Sequence, residues 1–215
     1  MNSPSSSAPR GLSTWLILLA ALAAGTGLWL GGWLLAPPAP AKFENAVLYP
    51  QPRAVADFSL TRANGKPLTL ADWRGHWTIV YFGYSNCPDV CPTTLAAFKQ
   101  VWKDLDQKNQ SKLVQLDFIS VDPQRDVPET LGKYVSFFNP EFVAATGSDD
   151  ELRRLGNALG LAYSRDNDAN GNITVDHSGS AVIIDPQARM IGMFRPPFVP
   201  ATIAADLAKL LAHGS

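Results

Sequence analysis

Residues 77–92 read WTIVYFGYSNCPDVCP and join an apolar run to a pair of cysteines. The run over 77–83 has the length and the unbroken hydrophobicity of a strand that is buried on both faces of a sheet. Pro92 suits the first turn of a helix, because the N–H that it lacks is not needed there. Apolar residues then recur at helical spacing, which predicts a helix over 89–108. A buried strand that leads into a helix is typical of an α/β fold.

Strand and helix patterns continue to alternate on both sides of this unit. Asn64 and Gly65 predict the turn of a hairpin between two short alternating stretches. We further predict strands over 113–121 and 141–146, a hairpin from 181–185 and 190–194, and helices over 128–138, 149–159 and 200–212. This succession predicts an α/β domain with a central mixed sheet and flanking helices.

The N-terminal part of the chain has a different composition. Residues 12–36 carry no charge, and about 20 apolar residues are enough for a helix to cross the hydrocarbon core. We predict a transmembrane anchor over 12–36 and a short cytoplasmic N-terminus over 1–11, because Arg10 favours the cytoplasmic side. The alternative is a cleaved signal peptide, whose apolar region is usually only about 7–15 residues long.

The residues after the predicted anchor indicate a tether and a single domain. Residues 37–53 are rich in proline and show no clear periodicity, which predicts an extended tether. Residues 54–215 then form the domain, which this orientation places in a periplasm-like space where thiols are often oxidised.

The composition excludes two classes of protein. The chain has 18 Lys and Arg against 19 Asp and Glu, without a basic cluster, so nothing indicates binding to nucleic acid. Its 2 cysteines are too few for a small secreted scaffold held by several disulfides.

The two cysteines, Cys87 and Cys91, are four positions apart at the predicted start of a helix. This spacing places them on one helix face, and the helix N-terminus favours thiolate over thiol. Three interpretations follow: a structural disulfide, a redox pair, or two ligands of one metal ion. A disulfide over so short a loop would stabilise little.

The three histidines are the other candidate metal ligands. His76 lies beside a glycine and is predicted to be a turn residue, and His213 is predicted to lie in a solvated tail. His177 precedes the apolar strand predicted over 181–185, so its loop could meet the cysteines. Zinc as a rule takes four ligands, whereas two thiolates and one imidazole suit copper.

Residues 166–171, DNDANG, match the first half of an EF-hand calcium loop. The twelfth position of such a loop requires a bidentate Glu, but this chain has His177 there. We therefore predict the polar tip of a hairpin instead of a calcium site.

Three segments together resemble the Sco/SenC family of copper-binding assembly factors. They are YFGYSNCPDVCPTTL at 81–95, SVDPQRD at 120–126 and VDHSGSAVIIDP at 175–186, and the resemblance extends over most of residues 55–212. It implies a membrane-tethered, thioredoxin-like domain that binds copper, as Cu(I), Cu(II) or both, through Cys87, Cys91 and His177.

The resemblance also implies a function in building the dinuclear copper centre of cytochrome c oxidase. The expected partners are the copper-receiving subunit of the oxidase and an upstream copper donor or thiol reductant. The expected location is the inner membrane, with a single span and the domain in the periplasm.

Three functions remain open at this point. The first is a copper chaperone, and the second is a thiol–disulfide oxidoreductase with Cys87 and Cys91 as its redox pair. The third is a sensor in which a disulfide changes the affinity for a partner. Asp122 and Asp176 are candidates for orienting the imidazole, although each is equally compatible with a capped turn.

Overall fold

The computed structural model describes residues 14–35, 42–167 and 173–213, and it divides the chain into two units, residues 1–41 and 42–215. The first unit contains helix α1, Thr14–Leu34, in which no residue is buried. Among the described residues, α1 is the one helix that is long and apolar enough to cross a membrane. At about 1.5 Å per residue, a helix of this length matches a hydrocarbon core of about 30 Å.

The second unit combines a large sheet, a small hairpin and four long helices. The strands of the large sheet are β1 Ala46–Ala54, β2 Ser59–Arg62, β3 Pro67–Thr69, β4 Trp77–Gly83, β5 Val114–Ser120, β6 Val143–Thr146, β9 Ala181–Ile184 and β10 Arg189–Phe194. The hairpin consists of β7 Tyr163–Asn167 and β8 Ile173–His177. The helices are α2 Val90–Gln107, α3 Pro128–Phe138, α4 Asp149–Leu159 and α5 Pro200–His213.

The sheet is mixed, and its central strand leads to the two cysteines. The strand order is β1-β10-β9-β4-β5-β6-β2-β3. Strand β4 is parallel to β5 and antiparallel to β9, and all seven of its residues are buried. The fold is therefore α/β, with helices flanking a mixed sheet, as the sequence pattern predicts, and it agrees with the thioredoxin-like domain that the family resemblance implies. The four helices agree with their predicted ranges to within about two residues.

The turn at Gly65 is also confirmed. Gly65 has a φ of 77°, in the left-handed region, and the turn joins β2 to β3. Glycine reaches this conformation without the steric cost that a Cβ adds.

The tether predicted over 37–53 needs correction, because residues 46–54 form strand β1 and pair antiparallel with β10. Pro50 and Pro52 lie where the register shifts, between Leu48 and Arg53. A proline has no N–H to donate, so it is tolerated on an edge strand such as β1. Because these prolines interrupt the alternating pattern, the sequence did not predict this strand.

The start of the domain is fixed by a carboxylate of the last helix. Asp206 in α5 is fully buried, and its Oδ2 accepts hydrogen bonds from the backbone N–H groups of Glu44, Asn45 and Ala46 at 3.0, 2.8 and 3.0 Å.

The predicted polar hairpin corresponds to β7 and β8. These strands pair with each other from Asn167↔Ile173 to Tyr163↔His177. The tip, residues 168–172, lies outside the described residues. His177 is thus the last residue of a strand, where the sequence predicted a loop.

Candidate metal centre

The elements around β4 position the two cysteines. Cys87 follows β4 in a turn in which its N–H donates to the carbonyl of Tyr84 at 3.3 Å. Cys91 is the second residue of α2 and is fully buried, whereas Cys87 is partly exposed. Pro92 lies in the first turn of α2, as its missing N–H predicts.

The structure brings His177 to the cysteines. Its Nε2 is 3.4 Å from Sγ of Cys91, and the two sulfurs and the imidazole nitrogen all lie within 4.8 Å of one another. His76 instead contacts the carbonyl of Arg74 through Nδ1 at 3.0 Å, which agrees with a turn residue. His213, predicted in a solvated tail, is the last residue of α5.

A backbone carbonyl orients the imidazole. Nδ1 of His177 is 3.1 Å from the carbonyl oxygen of Ser178, so Nδ1 carries the proton and donates it. The lone pair of Nε2 is then free to face Cys91, which is the arrangement of a metal-ligating histidine. The sequence proposed Asp122 or Asp176 for this role. Asp122 is instead paired with Arg125, and the described contact of Nδ1 is with Ser178.

Two aromatic rings bound the site. The rings of Tyr81 and Tyr84 stand edge-on to that of His177, with centroids 5.8 and 6.1 Å apart. Burial, together with the nearby cysteines, raises the pKa of Tyr84 to about 12. The phenol therefore stays neutral and leaves the site without an added charge.

The two thiols have opposite shifts in pKa. Burial opposes ionisation of Cys87, but hydrogen bonds from the backbone N–H groups of Cys91 and Asp89 outweigh it, and the pKa of Cys87 lies below its ordinary value. Burial raises the pKa of Cys91 to about 12, and the neighbouring Cys87 contributes to the rise. Burial also lowers the pKa of His177 and so favours neutral imidazole, and this effect outweighs the hydrogen bond to the Ser178 carbonyl, which acts in the opposite direction.

This donor set fits a soft metal ion. Bonds from a metal to sulfur and nitrogen are about 2.0–2.3 Å long in zinc sites, so two donors of one ion lie at most about 4.6 Å apart. The observed maximum of 4.8 Å is within a small side-chain adjustment of that limit. Two thiolates and an imidazole suit copper, because thiolates favour soft ions such as Cu(I) and an environment of cysteine and histidine also holds Cu(II). Among the described residues, no fourth His, Cys, Asp or Glu joins this group.

The site opens to solvent on one side. A cavity of about 260 Å³ lies beside Cys87 and His177, and its wall includes Pro88, Val90 and Val175. An incoming ligand would reach the sulfur of Cys87 from this cavity.

Comparison with known proteins identifies relatives of this chain. The family model described as SCO1/SenC matches residues 48–212. The chain is 34% identical over 181 residues to the mitochondrial SCO2 homolog of Mus musculus, covering 82% of this chain and 70% of that protein. It is 39% identical over 136 residues to mitochondrial SCO2 of Saccharomyces cerevisiae, covering 62% of this chain and 45% of that protein.

A solved structure of a related protein has the same fold. The structure of Bradyrhizobium japonicum ScoI with copper bound aligns with a TM-score of 0.66 and 32% identity, covering 73% of this chain and 98% of that one. Because the family model matches well over half of the residues, the chain belongs to the SCO1/SenC family.

Proposed function

We propose that the chain is a membrane-anchored copper chaperone. In this proposal Cys87, Cys91 and His177 bind copper and pass it to the copper-receiving subunit of cytochrome c oxidase, where the dinuclear centre is built. The observation that carries the proposal is the convergence of the three donor atoms within 4.8 Å. It is supported by the copper bound in the related B. japonicum protein.

An open site suits transfer better than storage. Structural metal sites usually enclose the ion with four protein ligands. Here three donors converge, and the partly exposed Cys87 borders a cavity. A thiolate or imidazole of the acceptor enters there as a further ligand, and the ion leaves by stepwise exchange.

Both common oxidation states of copper suit this donor set. Thiolates select Cu(I), and an environment of cysteine and histidine also holds Cu(II). Binding requires both thiols in the reduced, deprotonated form, so copper loading depends on the redox state of the pair and on pH.

The first experiment is a copper titration of the full chain, purified in detergent and reduced. The proposal expects one copper per chain, and transfer of that copper to the purified copper-receiving domain of the oxidase. A chain that takes up no copper, or that holds its copper in the presence of this acceptor, would refute the proposal.

The N-terminal helix supports an anchored location. We propose that α1 crosses the inner membrane once, with residues 1–11 in the cytoplasm and the domain in the periplasm. A reporter enzyme that is active only in the periplasm, fused after residue 215, tests this orientation. The proposal expects an active reporter in the membrane fraction; an inactive reporter or a soluble product would contradict it.

A second candidate function is a thiol–disulfide oxidoreductase that reduces the cysteines of the copper-receiving subunit. The difference between the thiols favours it, because Cys87 is partly exposed with a lowered pKa and Cys91 is buried with a raised one. The Cys87 thiolate would attack the target disulfide, form a mixed disulfide and release one target thiolate. Cys91, on losing its proton, would attack the Cys87 sulfur and release the second thiolate. Two electrons pass to the target, and an upstream thiol reductant restores the pair.

The variant His177→Ala separates the two functions. A copper carrier needs the imidazole as a ligand, whereas thiol exchange does not use it. The chaperone proposal expects the variant to lose tight Cu(II) binding and to fail in oxidase assembly, while disulfide exchange persists. Normal assembly with this variant would favour the oxidoreductase.

A further inference from the structure

A carboxylate outside the donor set holds the loop that carries the first cysteine. Asp126 lies in the loop between β5 and α3 and is fully buried. Its Oδ2 accepts the backbone N–H of Ser85 at 2.8 Å and the hydroxyl of Ser120 at 2.5 Å, and its Oδ1 accepts the hydroxyl of Ser85. Ser85 lies two positions before Cys87.

These contacts account for the burial of the carboxylate. A buried carboxylate is strongly destabilising unless hydrogen bonds or an opposite charge compensate for the lost water. Among the described residues, Asp126 forms no ion pair with a lysine or arginine, and three donors contact its two oxygens. Two of these donors belong to Ser85. The interaction therefore links the loop of Asp126 directly to the loop of the cysteines.

Asp126 is itself held in place on the sheet. Its N–H donates to the carbonyl of Asp122 at 2.9 Å, and Ser120 is the last residue of β5. Ser120 also pairs in register with Gly83 at the end of β4. The carboxylate is thus anchored to the two central strands at the edge where the metal-binding loop begins.

Ser85, which Asp126 holds, is linked through its neighbour to both the cysteines and the histidine of the site. Next to Ser85, Tyr84 accepts the N–H of Cys87 through its carbonyl, and its ring lies edge-on to His177. A shift of Ser85 therefore moves the sulfur of Cys87 and the ring against which the imidazole packs.

We propose that Asp126 is a positioning residue of the copper site. Its carboxylate fixes Ser85, so that Cys87 and Tyr84 are already in place relative to Cys91 and His177 before the ion arrives. Preorganisation of this kind lowers the cost of gathering the ligands and sets the geometry of the bound ion. The inference rests on the proposed function, because it assumes that these residues bind copper.

The test measures copper binding by the full chain in detergent, with Cu(II) alone and Cu(I) alone as probes. Asp126→Asn keeps the size of the side chain but replaces one acceptor oxygen by a donor. We expect a loss of about 10- to 100-fold in copper affinity, the usual effect of removing a group that orients a metal ligand. We also expect a shift of the thiolate-to-Cu(II) absorption bands, which a simple loss of stability does not produce.

A matched control is Asp206→Asn. Asp206 is also a fully buried carboxylate, and it also accepts backbone N–H groups, but it lies in α5 and holds residues 44–46. This variant is expected to lower the unfolding temperature and to leave copper affinity and band positions unchanged.

A second pair of variants keeps the test decisive if Asp126→Asn fails to fold. Ser85→Ala removes the hydroxyl donor and should shift the bands, whereas Ser85→Thr keeps the hydroxyl and should restore them. Wild-type affinity and bands in a folded Asp126→Asn variant, or in Ser85→Ala, would overturn this inference alone. Failure of the unmodified chain to bind copper would overturn the proposed function and this inference with it.

Discussion

The substitution Gly83→Ala tests whether the packing at the end of β4 sets the position of Cys91. A Cβ on Gly83 would lie 2.6 and 2.8 Å from two ring carbons of Phe118, and 3.0 Å from Sγ of Cys91. Carbon atoms in contact are normally about 3.5–4.0 Å apart, so the new Cβ would overlap the ring carbons of Phe118 by about 1 Å. Phe118 is fully buried and packs against Tyr81 and Tyr134, with ring centroids 6.2 and 5.8 Å apart, so the ring has little room to move.

The strain must therefore be shared with Cys91 and the start of α2. Overpacking of a buried site typically costs about 1–3 kcal/mol. In a chain of this size each kcal/mol lowers the unfolding temperature by about 2–4 °C, so the variant should unfold about 2–12 °C lower. Displacement of the Cys91 sulfur should also reduce copper affinity by about 10-fold or more.

The assay combines thermal unfolding by circular dichroism with a copper titration of the full chain in detergent. The control is Gly192→Ala, in which the new Cβ would lie 2.3 Å from the carbonyl oxygen of Val47, away from the cysteines. This control should be destabilised but should bind copper with wild-type absorption bands. If Gly83→Ala keeps the wild-type unfolding temperature and the wild-type copper affinity, the reasoning on packing is refuted.

Three further predictions follow from the pKa shifts of described side chains. In the reduced, metal-free chain near pH 8, iodoacetamide should modify Cys87 well before Cys91, because the pKa of Cys87 is lowered and burial raises that of Cys91 to about 12. Equal rates of modification of the two cysteines, measured by peptide mass mapping, would disprove this. Asp206→Ala should cost about 2–5 kcal/mol at pH 7 in urea unfolding, since it leaves backbone N–H groups unpaired. Burial opposes ionisation of Asp206, but hydrogen bonds from those N–H groups outweigh it and lower the pKa of the carboxyl group. The stabilisation by Asp206 is therefore present above pH 3.8 and is lost as the pH falls through the pKa of the folded state. A cost of Asp206→Ala that stays constant down to pH 3 would contradict the assignment. For Asp117, burial raises the pKa to about 6, although a hydrogen bond from Trp73 opposes the rise. The contribution of Asp117 to stability is therefore complete below pH 3.8 and is lost as the pH rises through about 6, so the wild type should lose stability relative to Asp117→Asn over this range. Parallel pH profiles of the two proteins would contradict this prediction.

Local patterns in the sequence predicted much of the fold. Strand β4 and helix α2 have an unbroken apolar run and a helical repeat, respectively, and both are found where the sequence places them. Such patterns depend on residues that are close together in the chain. Strand β1 was not predicted, because Pro50 and Pro52 interrupt its pattern and because it is defined by pairing with the distant strand β10.

The site was predictable only in part. The spacing of Cys87 and Cys91 indicates reactive sulfur, but His177 is 86 residues from Cys91, and spacing alone cannot show that they meet. The resemblance to a family supplied that prediction. The contact between Asp126 and Ser85 joins residues 41 apart, and nothing in the sequence of either segment shows that the two side chains meet. Buried polar contacts of this kind leave no periodic signal.

The ligand set is the central claim, and X-ray absorption of the Cu(I)-loaded chain tests it most directly. The structure predicts two sulfur atoms and one nitrogen or oxygen atom around the ion, since Cys87, Cys91 and His177 provide the converging donors. In His177→Ala both sulfur atoms should remain and the imidazole scattering should disappear. A wild-type ion with fewer than two sulfur ligands, or imidazole scattering that persists in His177→Ala, would contradict the account.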